Sequence, residues 1–483
     1  MPNNNPHKRT YGQYFTPRPV VHCCYDLLAG YVPANPRIAD PACGDGAFLK
    51  AAWERGIAAP PALRGCDLDA ALVEALHREG LAGVYCADGL DAASLPAATF
   101  DLVVGNPPFG VATSPGKHQI ASEVRFLLRA LDLARPGGYV ALVLPNGIFA
   151  NERLQTLRAE LLARATVLAV VALPRETFRG TGTHAACSLL VVRCTPPPPG
   201  HQVFCALPAS LGELPAVVAA FRARPGLAAP PSGAHYWQPQ GSPLIQRLDA
   251  QFWQPAQRAL LECMAARWPL RALAHLLDRR RELIAGDHVR RSRGEAKGPL
   301  LPYEYYQTRE FLPAGYNYAK IEHCNAQAYA RLKRTAVQQH DILVSCAGVG
   351  GAGRGRVCLV THVPGASCTG DVLIIRAHQI EPIFLFLLLC SRAGREQLLR
   401  LQNGVGTVNL STAELLQVQV PLLPAAYQRH LAQGYQPVAT AHAYAMAALG
   451  DEDMPGYVAA RAQAEALLHA LIRDLEAEIL GET

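Results

Sequence analysis

Seven short apolar runs punctuate the first two hundred residues: RIADPACGDG, LRGCDLD, VYCADGL, DLVVGNPPF, GYVALVLPN, VLAVVALP and SLLVVR. Stretches of helical periodicity lie between them. From Glu123 to Arg135, for example, Val124, Leu127, Leu128, Leu131 and Ala134 recur at helical spacing until Pro136-Gly137-Gly138 stops the pattern. Strands separated by helices of ten or more residues connect by crossovers, so the pattern predicts an α/β, Rossmann-like domain with a mostly parallel sheet.

Two stretches interrupt the rhythm: TPPPPG at Thr195 to Gly200 and RPGLAAPPSGAHYWQPQGSP at Arg224 to Pro243. Proline and glycine at this density oppose regular structure and predict linkers around a small helix at Leu214 to Arg222. Beyond about Leu244, strand runs follow one another without helices, and arginines cluster at Arg279, Arg280 and Arg281 and at Arg290, Arg291 and Arg293. A second, more irregular α+β domain is expected there. A closing amphipathic helix should run from about Tyr457 to Leu480, with Leu468, Leu471, Ile472, Leu475 and Ile479 on one stripe. There is no internal repeat.

Half of the 483 residues are hydrophobic and 17% are charged, which is the composition of packed domains and not of a disordered chain. The net charge of +6 permits a nucleic-acid partner without requiring one. No run reaches the roughly 18 apolar residues of a membrane span, and MPNNNPHKRT has no signal-type apolar core, so a cytoplasmic protein is expected. None of the fourteen cysteines forms a C-x-x-C pair. Cys43, Cys66 and Cys86 sit among apolar neighbours and are expected as buried structural thiols, with neither a disulfide framework nor a metal site.

The chemistry concentrates at strand ends. Asp40-Pro41-Ala42-Cys43-Gly44-Asp45-Gly46 follows a strand and opens a helix, where glycines let the backbone approach a ligand or simply make a tight turn. The phosphate-binding patterns G-x-x-x-x-G-K-[ST] and G-x-G-x-x-G are absent. Asp67 and Asp88 end the next two strands. Each alone could be a helix cap, whereas three acids at three successive strand ends suit a nucleoside that bears a positive group.

The fourth run ends in Asn106-Pro107-Pro108-Phe109. Its prolines stiffen the chain and donate no hydrogen bond, leaving the Asn106 side-chain oxygen and the Pro107 carbonyl as convergent acceptors for an NH2 group. Accepting two hydrogen bonds from a conjugated amine draws its nitrogen toward tetrahedral geometry and makes the lone pair available to an electrophilic methyl. Phe109 offers a face for stacking a flat base.

These residues resemble those of amino-group DNA methyltransferases of the N6-adenine, gamma-order type. YGQYFTPRPVV (Tyr11 to Val21) is similar to that family's N-terminal cofactor motif, DPACGDGAFL to its S-adenosylmethionine loop, and NPPF to its catalytic motif. LARPGGYVALVLPNGIF and LPRETFRGTGTHAACSLLVV resemble later strands of type I modification subunits. The resemblance implies that Thr16 and Asp40 hold the methionine end of S-adenosylmethionine and Asp67 and Asp88 its nucleoside, with Tyr14, Ala42, Gly44, Leu68 and Gly89 as further cofactor-binding residues. Asn106, Pro107 and Phe109 would grip an adenine flipped out of duplex DNA, with Pro108 in the same catalytic motif. Phe109 replaces the commoner tyrosine and keeps the ring.

HDILVSCAGVGGAGRGRVCLV (His340 to Val360) joins two strand-like runs through a glycine-rich turn without the Lys-Ser/Thr ending of a phosphate loop. The segment IEPIFLFLLLCSRAGREQLLRLQNGVGTVNLSTAELLQVQVPLLP resembles the end of a target-recognition domain in type I specificity subunits. The implied organisation is a catalytic domain at 1–200, a linker or extension at 201–243, a DNA target-recognition domain at 244–435 and a helical segment at 436–483. Arg279, Arg280, Arg290, Arg291, Lys333 and Arg334 are then candidate DNA contacts, most simply to phosphates. A nuclease built on Asp287, Glu295 and Lys297 is not expected, because no buried strand precedes Glu295. Cleavage would fall to a separate restriction or defence subunit. The expected activity is site-specific N6-adenine methylation. N4-cytosine, RNA adenine or protein glutamine methylation, and a DNA-binding subunit with an inactive methylase half, remain as alternatives.

Overall fold

The computed structural model describes residues 15–110, 121–174, 176–178, 186–223, 235–287, 303–318, 322–324, 335–346, 355–361, 367–402 and 410–481. The chain divides into two compact units, one running to Pro255 and the other taking up most of the chain from Ala256.

In the first unit all seven apolar runs are strands: β1 (Ile38–Asp40), β2 (Leu63–Asp67), β3 (Val84–Cys86), β4 (Phe100–Gly105), β5 (Ala134–Pro145), β6 (Thr166–Ala172) and β7 (Cys187–Arg193). With β8 (Gln202–Ala206) and β9 (His235–Pro239) they form one nine-stranded sheet in the order β3-β2-β1-β4-β5-β7-β6-β8-β9. Strands β3, β2, β1, β4 and β5 are mutually parallel, while β7 runs antiparallel between β5 and β6. This is the α/β fold that the alternation of strands and helices predicts.

The strands are unbroken apolar runs because both faces of the sheet are covered. In β5, Tyr139, Ala141 and Val143 enter one core and Val140, Leu142 and Leu144 the other. Burying each larger side chain contributes about 1.5–3 kcal/mol. Helices α1 (Arg18–Leu28), α2 (Ala47–Glu54) and α3 (Ala70–Arg78) pack into the first core. Helix α4 (Ser122–Leu133) packs into the second and ends two residues earlier than its sequence period suggests, because Ala134 already pairs with Phe100.

The stretch expected as a linker or extension at 201–243 supplies β8, β9 and the helix Leu214–Ala223 to this same unit. The proline run at Thr195 to Gly200 is only the connection between β7 and β8, since proline suits a tight bend as well as a linker. A second correction concerns Cys86. Cys43 and Cys66 are buried, but Cys86 is exposed, because β3 forms the edge of the sheet.

The second unit is a mixture of small sheets and helices. Leu283–Ala285, Val372–Ile375, Ile342–Ser345 and Val357–Leu359 form a four-stranded antiparallel sheet in that spatial order. The last two are the strand-like runs that flank the glycine-rich turn, and the turn itself, at 347–354, lies outside the described residues. Ser411 opens a short helix with a capping box closed by Glu414, and the strand Gln419–Pro421 follows. The helix Met454–Leu480 buries Leu468, Ile472, Leu475 and Ile479 on one stripe. Among the described residues no helix is long and apolar enough to cross a membrane.

Candidate active site

The order of the sheet reverses between β1 and β4, and in open α/β sheets ligands bind at that switch point beyond the strands' carboxyl ends. Asp40 ends β1, and Gly105-Asn106 ends β4 beside it. A cleft opens here. Its mouth and adjoining solvent included, it takes in about 720 Å3.

Glycine makes two close approaches possible. Gly105 has φ +154°, and a β-carbon there would lie 2.7 Å from Oδ1 of Asp40. A β-carbon on Gly89 would lie 1.9 Å from the Pro41 carbonyl oxygen, so the loop after β3 sits directly against the loop after β1. Asp67 joins the same arrangement. Its Oδ2 accepts from the Gly44 N–H at 2.8 Å and its Oδ1 from the Asp69 N–H at 2.9 Å, which ties the end of β2 to the first loop.

Thr16, Asp40, Ala42, Gly44, Asp67, Leu68, Asp88, Gly89, Asn106 and Pro108 all line the cleft. Residues expected separately from four strand ends and an N-terminal motif therefore share one space. Pro107 is buried, and the half-buried Phe109 packs against the first core; neither is part of the cleft lining. Tyr14 lies outside the described residues, as do Arg290, Arg291, Lys333 and Arg334. Arg279 and Arg280 are exposed in the turn that precedes Leu283–Ala285.

The lining also contains residues that the sequence reading did not single out, among them Phe15, Asp45 and Phe126. Phe126 stands off the stripe of Val124, Leu127 and Leu131, and that displacement was the available signal. Asp45 lies within the glycine loop, where its Oδ1 accepts from the Ala47 N–H at 3.2 Å.

Four carboxylates, Asp40, Asp45, Asp67 and Asp88, thus face one cleft, and no lysine, arginine or histidine is among the described lining residues. Asp40 is 1% exposed. Burial pushes its carboxyl up to about 8, opposed by the hydrogen bond from Ala42 N–H and reinforced by Asp67 and Asp45. Burial also raises Asp67 and Asp45. Such a site is electrostatically unsuited to phosphates and suited to a cation. The apolar faces of Phe15, Leu68 (57% exposed) and Phe126 leave room beside the acids for a flat or aliphatic group.

A family model described as N-6 DNA Methylase matches residues 2–56 and 72–204. That match lies within the first unit. The chain is 26% identical over 190 residues to Defense against restriction protein B of Escherichia phage P1, a match covering 38% of this chain and 8% of that protein. It is 28% identical over 218 residues to the Type I restriction enzyme StySPI methylase subunit of Salmonella potsdam, covering 37% of this chain and 40% of the relative. The chain therefore spans less than half the length of either curated relative. Among solved structures it is similar to the Type IIL restriction-modification enzyme MmeI in complex with DNA, with a TM-score of 0.49 and 12% identity, covering 96% of this chain and 75% of that one.

Proposed function

We propose that the protein is a site-specific DNA methyltransferase that moves a methyl group from S-adenosylmethionine to the N6 amine of adenine, as the modification enzyme of a restriction-modification or phage-defence system. The single observation that carries this reading is the cleft in which four carboxylates face Asn106. A cationic nucleoside without phosphates is the ligand such a donor set fits, and Gly89 and Gly105 let the loops that carry the set pack directly against one another. When bound, S-adenosylmethionine supplies an electrophilic methyl group.

Thr16 and Asp40 would hold its methionine end, and Asp67 and Asp88 its nucleoside, with Leu68 and Phe126 as apolar neighbours. On the acceptor side, the Asn106 side-chain oxygen and the Pro107 carbonyl accept hydrogen bonds from the target NH2. That holds its nitrogen pyramidal and its lone pair pointed at the methyl. No base is needed before attack, because the methylated ammonium product is strongly acidic. Phe109 would stack on the base, which must leave the duplex at a cost of a few kcal/mol. The second unit would supply recognition, with the exposed Arg279 and Arg280 on phosphates, and cleavage would belong to a partner subunit.

The test is incubation with labelled cofactor and duplex DNA, followed by digestion to nucleosides. Label in N6-methyladenine is the expected outcome. Label only in N4-methylcytosine, in RNA or in protein would move the activity to one of those acceptors.

A further inference from the structure

The two sides of the cleft come from loops at distant places in the sheet: Asp88-Gly89 follows β3, and Asn106 to Gly110 follows β4, with β2 and β1 between them. One helix touches both. The buried Ser122 at the start of α4 donates its hydroxyl to the Pro108 carbonyl at 2.8 Å, and Oε2 of Glu123 accepts from the Gly110 N–H at 3.0 Å. Two turns further along, Arg129 donates to the carbonyls of Gly89 at 3.2 Å, Asp91 at 3.0 Å and Leu95 at 2.8 Å. Positions 122, 126 and 129 share a helical face, and Phe126 between the two anchors lines the cleft.

We propose that α4 is the part that sets the spacing between methyl donor and methyl acceptor, and that Ser122, Glu123 and Arg129 are positioning residues of the transfer. A helix is stiff along its axis, so anchors at its start and two turns on fix the two loops relative to one another. Ser122 and Glu123 hold the acceptor loop immediately after Asn106-Pro107, and Arg129 holds the donor loop immediately after Asp88. None of the three needs to touch a reacting atom. Misplacement of reacting groups by about 1 Å costs on the order of a hundredfold in rate, which is the scale such anchors control. The inference rests on the methyl-transfer reading of the same cleft.

The experiment compares single-turnover methyl transfer, cofactor affinity and DNA affinity in the full chain and its variants. Ser122→Ala and Glu123→Ala should slow transfer by about 10- to 100-fold, with both affinities within about twofold of the parent. Glu123→Gln, whose amide oxygen still accepts from Gly110, should recover most of the rate. Arg129→Met should instead weaken cofactor binding, about tenfold for the loss of one or two effective hydrogen bonds. An unchanged rate in the two alanine variants, or an equal loss in Glu123→Gln, would overturn the proposal. Amide exchange of the peptide bearing Gly110 separates this inference from the reading beneath it. If the parent transfers no methyl, the methyl-transfer reading falls. Faster exchange in Glu123→Ala than in Glu123→Gln then still supports the anchor, and equal exchange removes it.

Discussion

Asp40 occupies the space that a side chain on Gly105 would need: a β-carbon there would come within 2.7 Å of the Asp40 carboxylate oxygen. The backbone at Gly105, with φ +154°, is also one that other residues rarely adopt. Gly105→Ala should therefore displace Asp40 and strain the end of β4, costing about 1–3 kcal/mol of stability. It should weaken cofactor binding by at least tenfold. Calorimetric titration alongside thermal unfolding checks both effects, and a variant that binds and melts like the parent would contradict the packing described.

The ionisation of Asp40 gives a second expectation. Its folded-state value is raised to about 8, against an ordinary value of 3.8. The folded state thus binds this proton more tightly than the unfolded state. The contribution to stability is fully present below about pH 4 and is lost as the pH rises through about 8. Asp40→Asn, which has no proton to lose, should melt progressively higher than the ligand-free parent as the pH increases from 5 to 8. A constant difference across that range would mean the carboxyl is not held neutral. The same variant should lose affinity for a cationic cofactor.

Asn106→Ala removes one of the two proposed acceptors for the target amine. Methyl transfer should fall below detection while cofactor and DNA affinities stay close to those of the parent. Equal turnover in the variant would remove Asn106 from the mechanism.

Arg158 is fully buried and donates to four backbone carbonyls, those of Ile148 at 3.0 Å, Asn151 at 2.9 Å, Ile245 at 2.8 Å and Gln246 at 2.7 Å. Arg158→Met removes the fork and all four hydrogen bonds, of which that to Ile148 is fully buried. The loss should be about 3 kcal/mol, since each hydrogen bond contributes on the order of 1 kcal/mol. Denaturant unfolding measures it, and a change below about 1 kcal/mol would show that other donors replace the guanidinium.

Arg279 and Arg280 are expected to act on phosphates. The double alanine variant should bind all duplex sequences more weakly, and its salt dependence should fall by about one unit of slope for each lost contact. Sequence preference should not move. A change of preference at unchanged salt slope would assign them to base edges instead.

Much of the first unit was legible because its strands are buried on both faces, so that Val140 to Leu144 or Val167 to Val171 stand out as apolar runs whichever face each residue enters. The acids were legible for a related reason, since a strand end is where an apolar run stops. The strands β8 and β9 were obscured by the prolines around them, which bend the chain without ending the domain. Cys86 was misplaced because neighbours in sequence do not reveal that β3 is an edge. Phe126 was missed because it stands beside the core stripe of Val124, Leu127 and Leu131, and helical periodicity reports only that wider stripe. Ser122 and Glu123 carry no motif, and their bonds to Pro108 and Gly110 depend on where the chain returns after leaving the loop.

The four bonds of Arg158 carry a consequence for the order in which the first unit is completed. Ile148 and Asn151 are near neighbours of this arginine in sequence, but Ile245 and Gln246 are made almost ninety residues later. During synthesis the guanidinium waits with half of its acceptors missing, long after every strand from β1 to β7 has left the ribosome. The cleft can therefore be assembled in outline before the unit that carries it is sealed, and Ile245 and Gln246, which complete the seal, are not among its lining residues.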